Sequence, residues 1–348
     1  MFRRIFTTLL FFVFVTPLWG GNTGGIGACE TQECLIHAMR QHPVRKIDRW
    51  DNNLNSPIYD RIQNAPADII NYIEIDNRAN GFPSGVRAAE NGIGIKDVQS
   101  ALRDIPETVL NHFEKSLVGI FLVENLGSSG YVESIADHEG RFIAGFIVLD
   151  ASVLARTANE WATWRDNTAF VQDATCCEIR TTIAERHKDN SLGAIQFILL
   201  HELGHVLSIT RNTHPHWWGE TDGLTVGDFP FADISWRVSK NKKNFISRFD
   251  RQFPLARELV FYQKPQLHIN QARSVLQQLG ETNFPSLYST TRVEEDFAET
   301  FAIFVHTEIM RKPYQIEFFE NELSVKKIDA CFTTHCLKKA DFLRALLN

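Results

Sequence analysis

The chain has 348 residues, of which 44% are hydrophobic and 22% charged, with 12 prolines and 20 glycines. This excludes a disordered tail, a collagen-like fibre and a tandem coiled coil, and the length suits one large or two small domains with a sizeable core. Lys and Arg number 36 against 42 Asp and Glu, a formal charge of -6. That acidity argues against nucleic acid as the main partner, because phosphate binding needs clustered positive charge.

The first 20 residues read as a signal peptide: Arg3 and Arg4 precede an apolar run from Ile5 to Val15, and Pro17-Leu18-Trp19-Gly20 ends it at a small residue. The run is too short to span a bilayer comfortably, and no later stretch reaches 18 uninterrupted apolar residues. The expectation is therefore an exported protein, periplasmic or secreted, with no stable membrane span. Ile26-Gly27-Ala28-Cys29 resembles a lipobox but is separated from the apolar run by a Gly-rich stretch, so lipoprotein anchoring at Cys29 is the lesser alternative. Residues 21–95, rich in Asn, Gly and Pro, read as a loop-rich extension with short helices.

From Asp97 to Lys115 apolar residues recur at helical spacing, with Pro106 as a break or a new start. Leu117–Val123 and Phe142–Leu149 are short β-branched runs around Gly127-Ser128-Ser129-Gly130, which predicts strands. A long apolar helix is expected over Ser191–Ile209, an elaborated region over 211–287, a strong helix from about Arg292 to Met310 and a last helix after Cys336. The fold class that follows is α+β: a small mixed sheet packed on the long helix, with a helical C-terminal part. Cys29/Cys34 and Cys331/Cys336 share a C-x4-C spacing that suits local disulfides better than a zinc knuckle, since the two pairs sit at opposite ends of the chain. Cys176 and Cys177 are adjacent and either pair or stay separate.

The chemistry is carried by His201-Glu202-Leu203-Gly204-His205 inside the long helix. Histidines at i and i+4 share one face and can reach one ion, with a carboxylate beside them to take a proton from water. At this composition chance supplies the pattern about 0.05 times per chain. Gly204 in mid-helix costs roughly 1 kcal/mol against Ala and implies a close neighbour there. Catalytic zinc needs three protein ligands. A third histidine six residues on is excluded, because that position is Arg211. Glu295, in Glu294-Glu295-Asp296-Phe297-Ala298-Glu299, is the best candidate, with Glu220 as its rival; a charged helix start alone is the alternative for the acids.

These motifs, with Tyr288 seven residues ahead of Glu295, resemble the gluzincin zinc metallopeptidases related to the anthrax lethal factor catalytic domain. The resemblance covers these motifs and the region from about Asp97 to Met310, not the first 95 residues or the Cys331–Cys336 tail. It implies a zincin-like fold, in a domain placed over 96–348, and a zinc metallopeptidase acting on a protein or peptide substrate, which the signal peptide makes an exported one. It assigns one Zn2+ per chain to His201, His205 and Glu295, the general base to Glu202, and transition-state assistance to Tyr288. The gap of 90 residues from His205 to Glu295 is longer than expected for that group. Two other readings stand beside it: a non-catalytic binding protein on the same scaffold, and a metal-dependent hydrolase of a cell-wall amide.

Weaker features have two readings each. Glu299 either orients a histidine or faces solvent, and Phe142–Leu149 is either an edge for an extended peptide or a plain core strand. His214-Pro215-His216-Trp217-Trp218 is a pocket wall or a loop with buried tryptophans. The basic stretch Arg237, Lys240, Lys242, Lys243, Arg248 and Arg251 is an anion-binding face or an ordinary solvated one.

Overall fold

The structure is a computed structural model and describes residues 29–50, 52–89, 94–173, 176–219, 227–240 and 244–348. The expected signal peptide, Glu220, Lys242 and Lys243 lie outside the described residues. The chain runs α1 (Gln32–Gln41), β1 (Ile62–Asn64), α2 (Ala67–Asn80), β2 (Arg87–Ala88), α3 (Ile95–Arg103) and α4 (Glu107–Leu110). Next come β3 (Leu117–Glu124), β4 (Gly130–Ala136), β5 (Phe142–Asp150), α5 (Ala158–Asn167), β6 (Phe170–Val171), β7 (Cys177–Thr182) and α6 (Ser191–Thr210). The rest comprises α7 (Ala232–Ser235), β8 (Trp236–Val238), β9 (Phe245–Ser247), β10 (Leu267–His268), α8 (Ala272–Leu279), α9 (Val293–Phe304), β11 (Gln315–Glu320), β12 (Leu323–Asp329) and α10 (Leu337–Leu347).

The architecture is mixed α+β, around a five-stranded sheet of order β1-β3-β5-β4 with β2 also on β3. β3 pairs parallel with β1 and β5, and β4 pairs antiparallel with β5. Successive side chains along a strand face opposite sides. Ile120, Leu122, Val132, Ile147 and Leu149 join one core, built on α6, while Phe121, Val123, Tyr131, Phe146 and Val148 join a second. The second core is closed by α1, α2 and the 3-10 turns between them, through Leu35, Met39, Trp50, Ile69, Tyr72 and Ile73. A sheet buried on both faces reads as continuous apolar runs, which is why β3 and β5 stand out in the sequence. The stretch before residue 95 also supplies two strands of this sheet, β1 and β2.

β5 is interior, with β3 on one side and β4 on the other, so the core-strand reading of Phe142–Leu149 holds and β4 ends the sheet. The C-terminal part is not wholly helical. β11 and β12 form a hairpin whose β11 also pairs with β7, and alternating Ile316 and Phe318 point into the core. The expected 292–310 helix is α-helical only to Phe304 and continues as one π-turn over Val305–Ile309. Disulfides join Cys29 to Cys34, Cys176 to Cys177 and Cys331 to Cys336, the pattern of an oxidising compartment. The first of these occupies the sulfur that a lipid anchor on Cys29 would need. Among the described residues, α6 is the one helix long and apolar enough to cross a membrane; it is instead the buried central helix.

α6 lies on the sheet with one side and against α9 with the other. A Cβ built on Gly204 would meet Ala298 Cα at 2.8 Å, so the two backbones touch where no side chain fits. Overpacking such a contact costs roughly 1–3 kcal/mol, of which Ala regains about 1 kcal/mol in helix propensity. Gly204→Ala is therefore expected to lower the unfolding free energy by up to about 2 kcal/mol in urea titration. A gain in stability of about 1 kcal/mol, the propensity term alone, would show that α9 is not pressed against α6.

Candidate metal centre

Every residue of α6 from Ala194 to Ile209 is buried, so its polar side chains must find partners inside the protein. His201 and His205 project from one face with their Nε2 atoms 3.2 Å apart. α9 brings Glu295 Oε2 to 3.2 Å from His201 Nε2 and 3.3 Å from His205 Nε2. Three donors on a tetrahedral ion with bonds of 2.0–2.1 Å are about 3.3 Å apart, so the triangle has the size of one face of such a coordination shell. The candidate group His201, His205 and Glu295 is thus present and closed by packing.

His201 Nδ1–H donates to Glu299 Oε1 at 3.0 Å, which fixes the tautomer and leaves Nε2 free to ligate. Glu299 is fully buried and faces His201, not solvent. The same carboxylate oxygen accepts from Arg165 Nη1 at 2.9 Å, Arg165 Nε donates to Asp166 at 3.1 Å, and Thr181 Oγ1 donates to Asp166 at 2.6 Å. The acid run on α9 is divided by the helix's rotation. Asp296, next to Glu295, points the other way and accepts from Lys339 Nζ at 2.5 Å and Trp236 Nε1 at 2.9 Å.

Glu202, next to His201 on α6, reaches toward the start of β4. A Cβ on Gly130 would lie 2.4 Å from Glu202 Oε1, so a side chain there would displace the Glu202 carboxylate. Glu202 Oε2 is buried with no hydrogen-bond partner. Tyr288, in a 3-10 turn just before α9, packs with its ring centre 5.7 Å from that of His201. Glu202, Tyr288 and His201 line one pocket together with Ser128, Ser129, Gly130, Trp161, Arg165 and Tyr262.

The electrostatics follow from burial and pairing. Burial pulls His201 down, but its contacts with Glu295 and Glu299 outweigh that and raise it to about 10. Burial pushes Glu295 up, yet the two histidines hold it well below the usual carboxylate range. Glu299 behaves likewise: Arg165 and His201 overcome burial and bring it to about 2. Glu202 is raised by burial, only partly offset by the histidines. Burial also raises the phenols of Tyr288 and Tyr262. The site therefore holds two firmly ionised carboxylates around His201, where a proton and a metal cation compete for the same nitrogen.

All five expected site residues meet here: His201, His205, Glu295, Glu202 and Tyr288. Arg165, Trp161, Tyr262 and Gly130 belong to the site as well and were missed. The available signals were an Arg-Asp pair inside a polar helix and the Gly-Ser-Ser-Gly stretch, which reads simply as a turn. A second donor cluster, Cys331, His335 and Cys336, has both sulfurs in one disulfide and an exposed imidazole, which leaves a single free donor. In the basic stretch Arg248 pairs with Asp233, and Arg237 pairs with Asp250.

The tryptophans after α6 turn under the sheet edge. Trp218 Nε1 donates to Glu133 Oε1 at 2.7 Å, and Arg45 stacks 3.9 Å over the Trp218 ring. Glu133, buried on β4, also accepts from Tyr131 at 2.7 Å and from Tyr72. Trp217 reaches to 6.3 Å, ring centre to ring centre, from His205. Comparisons with protein-family models, with curated proteins and with solved structures find no match to this chain.

Removing a partner that orients a ligating histidine weakens metal affinity by roughly 10–100-fold. Glu299→Gln, which keeps the shape and drops the charge, is expected to weaken any divalent-metal binding at the triangle by about tenfold in chelator competition. Unchanged affinity would limit Glu299 to holding Arg165.

Proposed function

We propose that the chain is an exported zinc-dependent metallopeptidase of zincin-like fold, akin to the gluzincins its motifs resemble, acting on a protein or peptide. The observation that carries this reading is the triangle of His201 Nε2, His205 Nε2 and Glu295 Oε2, with edges of 3.2 to 3.3 Å and, beside it, a carboxylate, Glu202, whose buried Oε2 has no hydrogen-bond partner. Two imidazoles and one carboxylate are the donor set of catalytic zinc, which leaves a fourth position for water or substrate. When bound, zinc supplies Lewis acidity that polarises a carbonyl and makes water nucleophilic near neutral pH.

The remaining work falls to the chain's own groups. Glu202, raised by burial toward neutrality, accepts a proton from the attacking water and returns it to the leaving amine. The Tyr288 hydroxyl, kept protonated by burial, donates to the oxygen on which charge develops. Glu299, itself held by Arg165, keeps the His201 ring turned toward the ligating position. Ser128 to Gly130 bring the start of the terminal strand β4 into the pocket wall, where an extended peptide can add alongside it. A binding module has no need of a base beside the triangle, and the unpartnered Glu202 Oε2 weighs against that reading.

The first test is zinc per chain by elemental analysis. About one equivalent is expected in the wild type and in Glu202→Gln, with loss in His201→Ala and Glu295→Ala. Zinc retained in Glu295→Ala would redirect the third ligand, and no zinc in any form would end the proposal. Among metal-loaded proteins, Glu202→Gln is expected to lose roughly 10²–10⁴-fold in peptide hydrolysis. Tyr288→Phe should lose about 10²-fold in kcat with little change in KM. A KM effect alone for Tyr288→Phe would make the tyrosine a binding group.

A further inference from the structure

The pocket beside His201 and Glu202 is small, with a free volume of about 20 Å3. That is room for one or two water-sized groups. Beside it lies an open cleft of about 580 Å3 walled by Trp164, Phe170, Gln172 and Pro265. Ser128 and Tyr262 line both spaces, so they form the partition between them.

The Tyr262 ring stands in a row of aromatic groups that leads from the cleft to the ligand. Trp164 is 5.7 Å from Tyr262, Tyr262 is 6.1 Å from Tyr288, and Tyr288 is 5.7 Å from His201, centre to centre. The Tyr262 side chain shares a hydrogen bond with Ser129, the other side of the wall. Its backbone is left-handed, at φ 63°, a conformation that disfavours a bulky residue and persists only where the surroundings enforce it. They do so here: Phe261 is fully buried just before it, and the Tyr262 amide donates to Thr168 Oγ1 at 3.3 Å. A glycine would adopt this backbone without strain, so what the position gains from tyrosine is its ring.

We infer that Tyr262 is a specificity-determining residue: by closing the metal-side pocket against the Trp164 cleft, it restricts the substrate residue beside the metal to Gly, Ala or Ser. The inference rests on the peptidase reading and adds to it the class of peptide taken, one with a small residue at the scissile bond. Bulk carried by a neighbouring residue is received in the aromatic cleft, outside the partition.

The test uses peptide hydroxamates that carry a methyl, isobutyl or benzyl side chain next to the metal-binding group. They are titrated calorimetrically into zinc-loaded wild type, Tyr262→Phe and Tyr262→Gly, with thermal unfolding as the check on folding. Wild type and Tyr262→Phe are expected to favour methyl over benzyl by about tenfold or more, because a pocket wall discriminates by roughly 10–200-fold per misfit group. Tyr262→Gly relieves the left-handed backbone and removes the wall. It should narrow or reverse that ratio by about tenfold while methyl affinity holds. A wild type that binds benzyl as well as methyl overturns the inference without reference to any variant. So does a ratio unmoved in folded Tyr262→Gly. If no hydroxamate binds the zinc-loaded protein, the metallopeptidase reading itself fails, and the inference falls with it.

Discussion

Where Gly204 faces Ala298, two helices meet backbone to backbone, and the position of Glu295 relative to the histidines is a consequence of that contact. Glu295 lies one turn before Ala298, and its carboxylate spans only the distance that the missing side chain leaves. A methyl group at 204 would push α9 outward, and a shift of a few tenths of an ångström is comparable to the tolerance of a metal–ligand bond. The helix-breaking residue in the middle of α6 is therefore part of the site's geometry. The rotation of α9 is fixed independently, since Asp296 is tied to Lys339 on α10 and to Trp236 on β8. One acid is drawn inward to the histidines, its neighbour is held outward, and the helix cannot turn without breaking both.

The second constraint is charge. Buried ions are costly unless paired and hydrogen-bonded, and this interior holds Glu202, Glu295, Asp296, Glu299, Asp166, Arg165 and Lys339. Their arrangement accounts for each in turn. Lys339 answers Asp296, Arg165 bridges Glu299 and Asp166, and the two histidines answer Glu295. Glu202, Glu295 and Glu299 each keep a buried oxygen without a hydrogen-bond partner, and a dication beside the histidines would bring charge to balance these acids. The triangle thus fits a metal by distance, and the acids around it fit one by charge.

How much of this was legible in the sequence depends on how local each signal is. The histidine pair needs only the 3.6-residue period of one helix, and the acid at 295 needs only that a third donor be sought on a second helix. Tyr288 came from a resemblance in spacing. Arg165 was invisible because an arginine in a polar helix ordinarily faces water; only its contact with a carboxylate 134 positions away draws it in. Tyr262 was hidden in what reads as an irregular stretch, and its left-handed backbone has no sequence signature. The β11–β12 hairpin was overlooked because charged residues on its outer face mask the alternation of Ile316 and Phe318. The layer before residue 95 reads as loops because its Asn, Gly and Pro residues and its 3-10 turns separate α1 from α2 and dominate the pattern, although it closes the second core of the sheet.

That outer layer also bears on the centre. Glu133 sits on β4 three positions after Gly130, and its carboxylate gathers donors from α2, from its own strand and from the loop that follows α6. A buried carboxylate with those donors locks each of them in place, because releasing any one leaves a charge less well solvated. The loop so anchored sets Trp217 against His205. The ligands come from α6 and α9, the pocket wall from β4, α5 and the stretch around Tyr262, and the brace from the N-terminal layer. No single element supplies all three donors of the triangle. Such a site forms only when long-range contacts are complete, so any metal it took up would draw on the same free energy as the closing of the whole fold.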